Sequence, residues 1–343
     1  MRKPLKRAAL RAGQALGIQN RIAGSRWRGS RLAILCYHSV ALDDEHRFNP
    51  RFSISPEKFE CRLRLLRDGG FRVLPLGEAV GRLYQGSLPE RSVCLTFDDG
   101  LYDFYVRAYP LLKKYGFPAT VYQTTYYVTH PKPVFAMFCH YLLWRGRKSY
   151  RGGDLLGLGS HVDLSTEASR TAFGNRVLAM TIERGMRLAE KDALAERLAR
   201  ELNVDYQAVL ATRILQLMTK DEIAELAPEI DFQLHTHRHR TPKNRELFVR
   251  EIEDNRRCLS EMTGRDLKSL KHFCYPSGEY DLMFLPWLKD LGVASATTCE
   301  NNLSTSGDEA LLLPRIVDTE NLDDSELESW LTGLSSIMRR LLA

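Results

Sequence analysis

Short apolar runs recur along this chain, and stretches with an apolar residue at every third or fourth position separate them. Leu32–Tyr37, Phe71–Leu74, Ser92–Phe97, Pro118–Gln123, Lys271–Tyr275, Val293–Thr297 and Leu311–Ile316 read as strands, because β-formers dominate and turn residues bound them. Between them, Ser55-Pro56 marks a helix start with Ser55 as cap, Phe59, Leu63 and Leu66 form its core stripe, and Gly69-Gly70 ends it. Further helices are predicted over Leu76–Tyr84, Phe104–Tyr115, Arg245–Met262 and Tyr280–Leu291, and from about Asp323 onward. Thr219 and Glu222 form a capping box that opens another short helix. Strand and helix alternate, which is the pattern of a parallel β/α architecture.

From Tyr127 to Leu217 the alternation stops. An aromatic run, Phe135–Trp144, precedes a glycine-rich break near 151–160, and amphipathic helices are predicted over Glu167–Leu178 and Lys191–Leu202. An aromatic stripe of this kind is either core or a contact face.

The net charge of +6 over 343 residues is unevenly placed. Residues 1–31 carry nine Lys or Arg and no acid, leaving 40 basic against 43 acidic residues, a balance of −3, in the remainder. A general nucleic-acid-binding surface is therefore not expected, whereas the arm suits an anionic membrane surface. No run of eighteen apolar residues and no signal-peptide pattern is found, so the expectation is a cytoplasmic protein, peripheral on the inner membrane face if the arm binds there. Seven cysteines without a Cys-x-x-Cys pair read as free thiols, with Cys36, Cys94 and Cys274 in core strands.

Candidate chemistry begins where the strand Ser92–Phe97 runs into Asp98-Asp99-Gly100. Two adjacent carboxylates resist joint ionisation unless a cation lies between them or one is protonated, so the pair is a metal site, an acid/base site or a solvated turn. A second run ends in His235-Thr236-His237-Arg238-His239. His235 and His239, four apart, can face the same way on one helical turn, and with one carboxylate they leave an open position on a tetrahedral Zn²⁺.

These motifs resemble those of the NodB-type polysaccharide deacetylases, carbohydrate esterase family four. Thr96–Gly100 is similar to the family's first motif, His235–His239 to its second, Phe273–Gly278 to its third and Leu313-Pro314-Arg315 to a late strand. The resemblance implies a distorted, mostly parallel (β/α) barrel with a helical insertion: arm 1–31, barrel 32–127, insertion 128–217, barrel 218–318 and a C-terminal helix 319–343. It assigns Asp99, His235 and His239 to the metal, expected as Zn²⁺ with Co²⁺ or Ni²⁺ acceptable to the same ligands. Asp98 becomes the general base, and the backbone N–H of Ser277 part of the oxyanion hole. Lys271 stands where the motif carries an arginine, so Arg315 is the candidate to orient Asp98, against an ordinary salt bridge. With no histidine after His272, Tyr37-His38 matches an exopolysaccharide-associated subgroup that carries the general acid there; His38 is that candidate, against a structural histidine. His237 is expected near the site but off the metal. The implied activity is removal of an N-acetyl group from an amino sugar of a glycan or glycan precursor. Two alternatives remain at this stage: deacylation or deformylation of a lipid-linked sugar at the cytoplasmic membrane face, and a non-catalytic carbohydrate-binding protein on the same fold.

Overall fold

The computed structural model describes residues 18–150, 152–158 and 162–342; the first half of the basic arm, residues 1–17, lies outside the described residues. The strands are β1 Arg31–Tyr37, β2 Ser39–Val40, β3 Ser53–Ile54, β4 Arg72–Val73, β5 Ser92–Asp99, β6 Thr120–Gln123, β7 Asp231–Leu234, β8 His272–Cys274, β9 Ser295–Thr297, β10 Ser304–Thr305 and β11 Ile316–Val317. The main sheet runs β10-β1-β5-β6-β7-β8-β9, with β4 on β5 and β11 on β1, and every pair in it is parallel except β10 on β1. Helices cover its outer face and side chains fill its inner face, so β1 and β5 are buried along almost their whole length.

The sheet curls into the distorted, mostly parallel barrel expected from the alternation. Its two edges are joined by a short late segment: the Leu313 N–H donates to the Ala296 carbonyl (2.9 Å), the Leu313 carbonyl accepts from Thr298 (2.9 Å), and Ile316 pairs with Leu35 of β1. Only the end of the predicted strand 311–316 is extended in the sheet; Ala310–Leu312 form a single 3-10 turn. The helix at Pro56–Asp68 starts where expected, but Ser55 does not cap it. Its hydroxyl donates to Glu320 (2.9 Å) instead, tying the helix start to the segment after β11.

Between Tyr126 and Ala211 the chain forms helices at Phe135–Arg145, Glu167–Glu183, Leu188–Glu201 and Tyr206–Ala211, with short 3-10 turns between. These pack around their own apolar cluster, including Phe138, Tyr141, Leu142, Val177 and Leu198, separate from the barrel core. The aromatic run is thus largely core. The helical segment returns to the barrel beside the Asp98-Asp99 turn: Met218 N–H donates to the Gly100 carbonyl (3.0 Å) and Tyr102 N–H to that of Gln216 (2.8 Å).

The described part of the arm is docked. Arg28 is fully buried and donates to the carbonyls of Leu331 (2.6 Å), Arg31 (2.6 Å) and Ser92 (3.3 Å), so it fastens β5 to the C-terminal helix Asp324–Thr332, which Leu334–Leu342 follows. No helix among the described residues is long and apolar enough to cross a membrane.

Candidate metal and catalytic centre

β5 delivers both aspartates at its C-terminal end, and the backbone then turns sharply. Asp99 has φ 71° and Gly100 φ 78°, the left-handed region that costs a side-chain-bearing residue energy. A Cβ on Gly100 would lie 1.9 Å from Gln123 Oε1, so a side chain there would have to displace the Gln123 amide as well as adopt this backbone conformation. The turn points Asp98 and Asp99 to different partners.

Asp99 meets the histidines. β7 ends at Leu234, and the following residues are irregular rather than the helical turn that the spacing of His235 and His239 suggests, with Thr236 at φ 62° and His239 at φ 54°. The two imidazoles converge all the same: each Nε2 lies 3.2 Å from Asp99 Oδ1. His235 Nδ1 is 2.9 Å from the Cys274 carbonyl, which can only accept, so the proton sits on Nδ1 and Nε2 presents a lone pair. Asp99 Oδ1 is consequently buried with no hydrogen-bond donor among the described residues. An acceptor facing a bare imidazole nitrogen across 3.2 Å is repulsive without a cation between them. Two nitrogens and one carboxylate oxygen, all within 4.8 Å of one another, therefore fit a divalent metal such as Zn²⁺. His237 turns away, with Nδ1 2.8 Å from Thr125 Oγ1.

Asp98 meets Arg315. The guanidinium grips it with two bonds, Nη1 to Oδ1 and Nη2 to Oδ2, both 2.7 Å, and both side chains are almost wholly buried. Arg315 also donates to the Thr298 carbonyl (3.0 Å) and Thr96 Oγ1 (3.1 Å). Burial pushes the Asp98 pKa up; the guanidinium overcomes this and keeps the carboxyl ionised far below its ordinary pKa. Lys271, at the motif position of the family's arginine, is exposed.

His38, at the end of β1, places Nε2 3.6 Å from Asp98 Oδ2, and Phe52 packs on its ring with centroids 5.0 Å apart. Its Nδ1 has no partner among the described residues. Asp103, buried, accepts from Ser39 Oγ (2.6 Å) and Val40 N–H (3.4 Å), fixing the chain that follows His38. Ser277 sits in a tight turn at φ 58°, and a Cβ on Gly278 would lie 2.8 Å from Cys299 Cβ.

Several supporting residues escaped the sequence reading. Cys36 and Cys274 are not simply packed: each Sγ reaches Asp98 Oδ2, at 3.5 and 3.4 Å, and Cys274 Sγ and Cys299 Sγ lie 3.1 and 3.6 Å from Arg315 Nη2. Asn255 accepts from His235 N–H (2.9 Å) and donates to the Gln123 carbonyl (2.9 Å). Glu251, one turn earlier on the helix Arg245–Thr263, accepts from Arg238 N–H (2.8 Å) and Arg240 Nε (2.6 Å) and so holds the histidine loop. Their signal was a polar pair spaced by four within the apolar stripe Phe248, Ile252, Leu259.

The family model for polysaccharide deacetylase matches residues 85–140 and 172–296. A poly-beta-1,6-N-acetyl-D-glucosamine N-deacetylase of Staphylococcus aureus (strain MSSA476) is 39% identical over 69 residues, 20% of this chain and 24% of the relative. YxkH of Bacillus subtilis (strain 168) is 39% identical over 94 residues, 27% of this chain and 32% of its own length. The matches thus span a third or less of these relatives. Among solved structures, the Streptococcus pyogenes deacetylase PplD in complex with acetate superposes with TM-score 0.57 at 20% identity, over 88% of this chain and 98% of the other. IcaB from Ammonifex degensii gives TM-score 0.54 at 20% identity, over 89% and 98%. At these identities the likeness speaks for the fold.

Proposed function

The chain belongs to the polysaccharide deacetylase family, and from that premise we propose that it is a metal-dependent hydrolase removing an N-acetyl group from an amino sugar within a glycan. The observation that carries this reading is the orphaned Asp99 Oδ1 between two imidazoles, one residue from a carboxylate that Arg315 keeps ionised.

Asp99, His235 and His239 would hold the metal. When bound, it would supply Lewis acidity, making water more acidic and the amide carbonyl more electrophilic. Asp98 is the base that takes the proton from water as the oxygen bonds to the acyl carbon. Arg315 prevents Asp98 from being protonated beforehand and fixes both of its oxygens in space. His38 carries a proton to the departing nitrogen, so that the C–N bond breaks to give acetate and the free amine. To the Ser277 N–H, in a turn of positive φ, we assign the part of steadying the carbonyl oxygen as it gains charge. Zn²⁺ is the expected ion, given a donor set of two imidazoles and a carboxylate.

The test is acetate release from N-acetylglucosamine oligomers by protein stripped with a chelator and then reloaded with Zn²⁺, Co²⁺ or Ni²⁺. Activity should vanish on stripping and return with metal. Turnover indifferent to chelation would remove the metal from the reading.

A further inference from the structure

Phe52, which packs on the His38 ring, belongs to a loop whose preceding residues line a cavity of about 480 Å³. Arg47, Phe48 and Arg51 line it from the barrel, and His140, Trp144 and Arg170 from the helical segment. The size is that of a small-ligand site. None of these residues belongs to the centre described above.

The lining is basic and aromatic, with Glu167 as its one acid. Arg170 is anchored, Nη1 donating to the carbonyls of Leu164 (2.7 Å) and Ser165 (3.0 Å). Arg47 and Arg51 are different: among the described residues neither guanidinium has a carboxylate partner or a side-chain hydrogen bond. Other arginines of this part of the molecule are spent, Arg145 on Asp43 and Arg213 on Glu222. Two uncommitted planar forks suit a bidentate oxyanion, phosphate or carboxylate alike. Phe48 and Trp144, whose rings lie 5.9 Å apart, are both half-buried and offer apolar surface to the C–H face of a sugar.

We propose that this cavity is a second glycan subsite, which takes a sugar unit bearing a phosphate or carboxylate substituent while another unit of the same glycan lies at the metal. The proposal deepens the deacetylase reading and rests on it for the identity of the ligand as a glycan. The stretch 47–52 links the two places: its first residues line the cavity and Phe52 packs on the His38 ring.

The test measures binding to the full-length, Zn²⁺-loaded protein by titration calorimetry, using probes without any amide: cellotetraose, the same tetramer with a 6-phosphate on a terminal sugar, and the tetramer with a terminal uronate. At low salt, at least one anionic tetramer should bind about tenfold more tightly than cellotetraose, as two charge-assisted contacts would give. The tighter of the two identifies the substituent. The Arg47→Ala/Arg51→Ala variant should lose that preference while its thermal unfolding midpoint stays put, since both side chains are exposed and unpaired. Equal binding of all three tetramers overturns the proposal. So does a preference that survives in the variant, which would place the anion at the metal instead. Acetate release from N-acetylated oligomers is scored separately, so failure of the deacetylase reading is distinguishable from failure of the subsite.

Discussion

Replacing Arg315 by methionine keeps most of the side-chain volume and removes the charge from a buried pair. Asp98 then remains in a nearly solvent-free position without its two 2.7 Å bonds, and the Thr298 carbonyl and Thr96 hydroxyl lose a donor. Removing one partner of a buried pair costs roughly 3–5 kcal/mol. For a chain of this size that corresponds to a fall in Tm of roughly 4–7 °C. The sign of the pH dependence also reverses. In the intact protein the Asp98 pKa is depressed, so its contribution to stability is present above the unfolded carboxyl pKa and lost only as pH falls through the folded value. In the variant, burial dominates and raises the pKa, so the deficit is largest near neutral pH and shrinks on acidification. The acid limb of kcat/KM should move upward in step, because a protonated Asp98 cannot act as base. Calorimetric unfolding between pH 5 and 8 and a pH–rate profile read both effects, and Arg315→Met/Asp98→Asn should recover part of the stability by removing the stranded charge. A Tm within about 1 °C of the parent, together with an unmoved acid limb, would refute the account of Arg315 as the group that keeps Asp98 ionised.

Metal and base should separate on mutation. Asp99→Ala or His235→Ala should abolish bound metal and activity together, whereas Asp98→Asn should keep the metal, measured by elemental analysis, and lose about 10²–10⁴ in turnover. His38→Ala should lower kcat far more than KM and erase the alkaline limb of the profile at constant metal content. Near-normal turnover with that limb intact would leave His38 a structural residue.

The sequence displays the barrel because each strand is a short β-branched run closed by a turn, and such local patterns survive into the fold. The first two motifs are also legible, since Asp98 and Asp99 are adjacent and the three histidines fall within five positions of one another. Arg315 was harder: sequence could not choose between an orienting arginine and a plain salt bridge, because the choice depends on which inward-facing side chain arrives opposite Asp98. The histidine loop was misread as a helical turn for a related reason. Spacing reports what one helix face would gather, whereas Glu251 and Asn255, on a neighbouring helix, impose left-handed backbone at Thr236 and His239. Polar residues inside a helix read as solvated until something is seen to lie against them. Arg28 counts in the sequence as one of nine arm cations suited to an anionic surface, because nothing in its flanks reveals that three carbonyls await it.

The segment 313–317 makes the order of assembly part of the chemistry. It touches both edges of the sheet and carries the guanidinium that neutralises Asp98 across a separation of 217 residues. Until it docks, the ring is open and the carboxylate can stay hydrated, so neither charge is taken from water alone. Contacts this distant along a chain form slowly, because the loop must close before any contact rewards it. A folding intermediate could thus hold the metal ligands that follow β7 and end β5 in place and still lack the fixed Asp98 carboxylate the reaction needs. Refolding followed by metal uptake and by acetate release would then run on two clocks, with activity the later.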